Sequence, residues 1–469
     1  MSHQIRADYS QIWLFPPSLE DLLPADHPAR FIREFVDALD LPQLGFKMRK
    51  GEEGRPNYAP DLLLKVWLYG FLERVRSSRR LEKACRHDLA VMWLTGMNYP
   101  DHNSLWRFWN DNRKVLKEVF RQTIRLAAKA DLVGMVLHAL DGTKVAARAS
   151  TDRMWGRKVL QERLERLDKS LQEMTAEVEK SEKQEAGQEC RLPEELADKQ
   201  ALRETVRAKL RELEQEDRTH LHPGEREAQV MKNHEGTRLG YNAQVVVEGK
   251  GGVIVAAEVT NEQNDLHQLV PMLDAVKEEL GQVAEETVAD AGYCSGEQLE
   301  KAEEKHYPVL VSLAQVEAKR EAVGPYHCSK FSYDRQADCY RCPRGEPLTY
   351  QTTRKRKESR VYRCRSARYC PVRWECSREQ GGRSVERSPY CEVLLSQEEK
   401  QQEEGKRELL RLRMRTVEPV FAVIKERLGF RRYTVGGLEK VRAQWSFVCA
   451  LVNLLRLYPL WRKGVLQLS

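Results

Sequence analysis

The chain has 469 residues, 41% of them hydrophobic and 32% charged, with a formal net charge of +7. That length exceeds one ordinary core and points to two or three compact units. The charge permits a polyanionic partner without requiring one. The longest apolar stretch, Phe447 to Leu455, contains Asn453 and falls far short of the ~20 residues of a membrane span. No N-terminal segment has the charged-then-apolar shape of a secretory signal, so a cytoplasmic chain is expected. Eleven cysteines in such a compartment argue for metal binding or inert core thiols rather than disulfides.

Residues 1–130 read as a helical domain. Ala59-Pro60-Asp61 opens an apolar run (Leu62, Leu63, Leu64, Val66, Trp67, Leu68) that leads into the basic cluster Arg74, Arg76, Arg79, Arg80, Lys83 and Arg86. Asn103-Ser104 has the form of a cap for a helix carrying Leu105, Trp106, Phe108 and Trp109. Short helices with basic residues between apolar faces suit either a helix-turn-helix type DNA-binding unit or an ordinary helical packing domain.

An α/β core is expected to start over 131–156. Val133 to Leu140 is a strand-length apolar run ending in Asp141-Gly142. Leu160, Leu164, Leu167, Leu171, Met174 and Val178 follow a heptad spacing, and Leu202, Val206, Leu210 and Leu213 give a second helix. An inserted helical hairpin over 157–235 follows from the pair. The core resumes over 236–318. Strands at 241–248 and 253–260 flank the turn Gly249-Lys250-Gly251-Gly252. Another short strand ends in Asp290, and Ser295 with Gln298 has the form of a capping box. Residues 319–395 hold seven of the eleven cysteines and little periodicity. Long helices over 396–469, from about Gln397 to Arg427 and from Leu438 to Leu457, close the chain.

Two strands that each end in an aspartate are an informative pair. Neighbouring strand ends project into one crevice, and carboxylates that close repel unless a cation lies between them. Mg²⁺ (or Mn²⁺) suits such a site because it takes hard oxygen ligands and keeps positions open for phosphate oxygens and water. Taken singly, Asp141 reads more simply as a turn former and Asp290 as a cap of the next turn.

The flanking residues carry a resemblance. Leu140-Asp141-Gly142-Thr143-Lys144-Val145-Ala146-Ala147 resembles the first-aspartate segment of DDE transposases from bacterial insertion sequences, and Val288-Ala289-Asp290-Ala291-Gly292-Tyr293 the second. Thr416-Val417-Glu418-Pro419-Val420-Phe421-Ala422-Val423-Ile424-Lys425 is similar to their third motif, where a Glu precedes a Lys by seven positions. The Gly54–Leu81 stretch, Arg431-Arg432-Tyr433 and Gly437–Arg442 extend the likeness over nearly the whole chain.

The resemblance implies a ribonuclease-H-like mixed sheet with the hairpin inserted, an N-terminal all-α domain and a Cys-rich insertion. It implies Mg²⁺-dependent cleavage at the ends of a mobile element, then attack of the freed 3′-hydroxyl on target DNA. Asp141, Asp290 and Glu418 would hold the metal, with Glu439 the other candidate for the third acid. Lys144, Arg411, Arg415 and Lys425 are the expected DNA contacts. Met414 and Arg411 stand four and seven positions before Glu418, where related chains often carry Arg and Tyr, so the phosphate-contacting arginine is left open between Arg411 and Arg415. The expected partners are double-stranded DNA (terminal repeats and target) and further copies of the chain on that DNA, without a membrane. A related nuclease that cuts without joining and a zinc-containing DNA-binding regulator are the competing readings.

Cys339-x2-Cys342 has zinc-knuckle spacing, and Cys370-x5-Cys376 supplies a second pair for a structural Zn²⁺. Cys364 is a substitute, and Cys328 and Cys391 flank the set. Basic and aromatic residues interleave in the same insertion (Arg354 to Lys357, Tyr362, Arg363, Arg368, Tyr369, Arg373, Trp374), as on a phosphate-tracking surface. Cys85, Cys190, Cys294 and Cys449 read as packing residues.

Overall fold

The structure is a computed structural model that describes residues 18–47, 57–150, 154–184, 194–215, 218, 220–233, 236–313, 324–327, 330–355, 358–377, 379 and 381–468. It is a mixed α/β chain with a helical N-terminal region and a β-sheet core. Two compact units divide it. One holds 1–133, 422–431 and 443–469; the other holds 134–421 and 432–442. Among the described residues no helix is long and apolar enough to cross a membrane.

The first unit contains α1 (Leu19–Leu22), α2 (Pro28–Asp37), α3 (Pro60–Leu72), α4 (Ser78–His87), α5 (Leu89–Thr95), α6 (His102–Asn112) and α7 (Leu116–Lys129). Pro60 opens α3, where the missing amide costs nothing, and Leu63 to Phe71 are buried on every side. α6 is capped by Asp101, two residues earlier than Asn103-Ser104 suggests. The Asp101 carboxylate accepts from the amides of Asn103 (2.8 Å) and Ser104 (3.0 Å), so those residues lie inside the first turn. Residues 443–469 complete this core: Phe447 meets Phe71 and Trp109 edge-on, each at 5.1 Å. Buried Asn453 is satisfied by donating to Thr123 Oγ1 at 3.1 Å. Arg74 and Arg76, two members of the basic cluster, donate to the backbone oxygens of Glu426, Arg427, Leu428 and Gly429. They cap the orphan carbonyls at the end of a helical turn.

The second unit holds β1 (Leu137–Ala146), β2 (Trp155–Gly156), α8 (Arg157–Gln184), α9 (Glu194–Gln215), β3 (His220–Leu221), β4 (Gln229–Asn233), β5 (Gly236–Glu248), β6 (Ile254–Thr260), α10 (Leu269–Leu280), β7 (Glu286–Ala289), α11 (Gly296–Glu304) and β8 (Val309–Val311). β4 and β6 both pair with β5, β5 runs antiparallel to β1, and β7 and β8 continue the sheet in parallel. α8 and α9 lie antiparallel: Arg157 bonds the carbonyl of Leu213, and Lys199 bonds Ser170. Leu160 packs with Val206, Leu210 and Leu213 along that seam, joined by Leu164 and Leu167. Gln298 of α11 does not form a box with Ser295. It is buried and accepts from the amide of Val270 on α10 at 3.1 Å, a tertiary contact that outweighs the local cap.

The Cys-rich stretch is more regular than its lack of period suggests. β9 (Ser332–Asp334), β10 (Cys339–Arg341), β11 (Pro347–Arg354), β12 (Ser359–Cys364) and β13 (Ser384–Arg387) form an antiparallel meander, with the short α12 (Arg373–Cys376) before β13. The helix expected from Gln397 onward is two helices, α13 (Cys391–Gln402) and α14 (Lys406–Ala422), broken at Gly405, whose φ is +81°. A π turn (Val423–Arg427) follows α14, and α15 (Leu438–Arg462) is the last helix.

Candidate active site

The parallel pairing of β1 with β7 matches Ala139 with Val288. Asp141 follows Ala139 by two residues within β1, and Asp290 follows Val288 by two, one residue past the end of β7, so the register brings the two aspartates side by side. β7 stops at Ala289 and the chain turns away, whereas β1 runs on against β5 to Ala146. Asp141 is therefore inside its strand rather than at its end. The crevice arises because the neighbour leaves. Gly142 is no turn former: Gln244 of β5 fills the space a side chain there would need, and Asp265 Oδ1 lies 3.1 Å from that point.

One cation serves both aspartates. Arg413 of α14 donates through Nη1 to Asp141 Oδ2 at 2.8 Å, and its Nη2 stands 3.9 Å from Asp290 Oδ2. The Gly142 amide donates to Asp141 Oδ1 at 2.7 Å and the Gly292 amide to Asp290 Oδ1 at 2.8 Å. Burial pushes the Asp141 carboxyl above its usual range; Arg413 and the Gly142 amide pull it down, and Asp290 adds to the rise.

A third aspartate, Asp265, lies in a polar cluster of its own. Asp265 Oδ1 accepts from Lys144 Nζ (3.2 Å), Asn242 Nδ2 (2.7 Å) and Gln244 Nε2 (2.7 Å). Tyr293, fully buried, donates to Gln244 Oε1. Burial, then the negative Asp265, Asp141 and Asp290, hold its hydroxyl far above the usual phenol range. Burial lowers the Lys144 ammonium, opposed by the same three aspartates. Arg413 and Asp265 escaped the sequence reading. Asp265 sits in Asn264-Asp265-Leu266 after β6, with no spacing signal, and Arg413 is one of several arginines on its helix.

The remaining expected residues are dispersed. Glu418 is exposed on α14, five residues after Arg413 and so about 140° round the helix from it. Arg411 and Arg415 are exposed on α14, Lys425 is half-buried in the π turn, and Glu439 is exposed in the first turn of α15. Among the described residues no three His, Cys, Asp or Glu side chains form a group that holds a metal as they stand, so Glu418 does not join Asp141 and Asp290 in one shell. Cys342, Cys364, Cys370 and Cys376 line one cavity, and Cys339 lies outside it. Cys328 and Cys190 fall outside the described residues.

Residues 341–458 match the family model for the transposase DDE domain, and residues 17–111 match that for the transposase domain DUF772. Both matches are to transposase domains, consistent with a DDE transposase of insertion-sequence type. The first match takes in Arg413 and Glu418 but reaches neither Asp141 nor Asp290, so the placement of those two rests on the sheet geometry. No curated protein and no solved structure matches.

Proposed function

We propose that this transposase binds the ends of a mobile DNA element, cleaves them by metal-dependent phosphodiester hydrolysis and joins the 3′-hydroxyl ends to target DNA. The observation that carries the reading is the pair Asp141 and Asp290, level at the point where β7 leaves β1 and sharing the Arg413 guanidinium. The strand order β6-β5-β1-β7-β8, with its antiparallel half and its parallel half, supports a ribonuclease-H-like core. Asp141, Asp290 and Glu418 are the acidic residues of the reading. The donors are hard carboxylate oxygens held between amides and a displaceable cation, which fits Mg²⁺ or Mn²⁺. A bound divalent ion supplies Lewis acidity toward the phosphate and an activated water or hydroxyl.

The chain's own groups do the rest. Asp141 and Asp290 orient the ions from the sheet, and Arg413, once released from them, is free to meet a phosphate oxygen of the substrate. Lys144 sits beside them on Asp265 as a second phosphate partner. Glu418, exposed on α14 with Arg411 and Arg415, is the third acid of the set and would be brought to the pair on DNA bound along those arginines. Arg79, Arg80, Lys83 and Arg86, exposed on α4 while Leu81 and Cys85 face the core, give the helical unit a phosphate-contacting face. The partners are then the terminal repeats, the target duplex and a second copy holding the other end, in the cytoplasm beside the nucleoid.

The test is Mg²⁺-dependent cleavage of element-end DNA, with strand transfer scored separately from a pre-cut 3′-hydroxyl end. Wild type is expected to cut and to join, and Asp141→Asn, Asp290→Asn and Glu418→Gln to do neither. Cutting without joining would make it a nuclease only. Undiminished activity in Asp141→Asn would remove the reading.

A further inference from the structure

The cysteines of the meander present a different set from the one their spacing suggests. Cross-strand register decides it. Tyr340 pairs with Leu348, and Leu348 with Cys364, so these three share one face. Tyr362, two residues before Cys364, and Cys342, two after Tyr340, lie on that same face by alternation. Cys339 pairs with Thr349 and therefore points to the other side. The knuckle spacing Cys339-x2-Cys342 thus splits across the sheet, because three positions along a strand reverse the face.

Cys342 and Cys364 lie at the same end of the meander. Cys342 is bonded through its amide to Glu346 across the β10–β11 hairpin (3.0 Å), and Cys364 ends β12. Cys370 and Cys376 come from the segment folded over this end, where the Cys376 amide bonds the carbonyl of Val372 (2.9 Å) and opens no further helix. All four line one cavity of about 30 Å³, room for an occupant the size of a water or a bare ion. The same lining holds Arg344, Arg373 and Arg383 and one carboxylate, Glu346. Three guanidinium groups against one carboxylate leave two positive charges in excess, which complements the two negative charges of one Zn²⁺ with four thiolates.

Burial alone gives this region little. Its core is Phe331, Tyr340, Leu348, Tyr362 and Val385, and small cores of this kind are commonly completed by a metal or disulfides. We propose that Cys342, Cys364, Cys370 and Cys376 bind one structural Zn²⁺ as a four-thiolate site, with Cys339 excluded. Binding releases the four thiol protons and exchanges no electrons. The thiols line the cavity without closing a shell, so metal uptake and closure of the segment over the sheet end are one event. The inference does not depend on the DNA chemistry proposed above.

The test is zinc content of the purified full chain under reducing conditions, by elemental mass spectrometry, together with the visible spectrum after Co²⁺ exchange. Wild type and Cys339→Ser are expected to carry about one zinc per chain, with a Co²⁺ spectrum typical of four sulfur ligands. Cys342→Ser, Cys364→Ser, Cys370→Ser and Cys376→Ser are expected to lose it. Cys364→His, which keeps a ligand at that position, separates lost coordination from lost folding and is expected to retain zinc with an altered Co²⁺ spectrum. A wild-type chain without zinc, a disulfide among the four, or loss of metal from Cys339→Ser but not from Cys364→Ser would each overturn the assignment.

Discussion

The two larger sheets of the second unit solve the same problem by different means. In the six-stranded sheet Val245, Val246, Val247, Leu310 and Val311 are dry, and β5 pairs on both edges. Apolar area removed from water, at about 25 cal/mol per Å², is sufficient there. Among the polar groups inside it, buried Glu248 accepts from the Met135 amide (3.0 Å) and meets His138 Nε2 (3.2 Å). The five-stranded meander has only a thin aromatic core, and its tyrosines lean on charge. Tyr333 and Tyr362 both donate to Asp338 at 2.7 Å, and Arg387 lies 3.7 Å over the Tyr333 ring. A stiff sheet can hold two repelling carboxylates in place, whereas a thin one needs a cross-link.

The contrast is best broken at the carboxylates. Asp141→Asn and Asp290→Asn are expected to reduce cleavage by roughly three orders of magnitude or more while leaving folding intact, because a metal ligand is lost and the strand pairing is not. Circular dichroism alongside the cleavage assay checks both halves; a collapse of the fold would show that the pair is structural.

Next in size is a packing comparison. Leu310→Ala in β8 is expected to cost about 2–5 kcal/mol of global stability. Leu348→Ala in β11 is expected to open only the meander, seen as hydrogen exchange confined to residues 330–387. Equal global losses from the two would erase the distinction.

A pH prediction sharpens the site. The folded-state pKa of Asp141 is raised, so the folded chain holds that proton more tightly than the unfolded one. Stability from this group is full below the ordinary carboxyl pKa and is lost as pH rises through the raised value. A metal ion needs the ionised form and competes with the same proton. The thermal shift given by Mn²⁺ is therefore expected to shrink as pH falls through that raised value, before ordinary aspartates titrate. A shift that persists unchanged to the ordinary carboxyl range would contradict it.

The smallest effect is expected of Asp265→Asn. It keeps the side chain's shape and the bonds from Asn242 and Gln244, and weakens only the tie to Lys144, so cleavage should fall about tenfold or less. A loss as deep as that of Asp290→Asn would make Asp265 a metal ligand.

Elements marked by period or by turn chemistry were legible in the sequence. The alternation around Gly249–Gly252 and the apolar run after Pro60 correspond to the β5–β6 hairpin and to α3. Where a tertiary partner outweighed a local signal, the reading failed. Gln298 left its cap for Val270, Asp101 took the cap from Asn103-Ser104, and Gly142 lies inside a strand because Gln244 occupies its space. Arg413 and Asp265 reach the aspartates across long separations that no local spacing encodes. That Cys339 pairs with Thr349, on the face opposite Leu348 and Cys364, was hidden for a related reason, since spacing along a strand says nothing of the face until the register is known.

The proposed meeting of Asp141, Asp290 and Glu418 at bound metal on DNA is open to direct measurement by replacing Mg²⁺ with Fe²⁺ and generating hydroxyl radicals at the metal in the DNA complex. Backbone cuts are expected in three separate segments, next to residues 141, 290 and 418, and all three should be suppressed by excess Mg²⁺. Cuts beside 141 and 290 without one beside 418, or cuts at none of the three, would contradict the account.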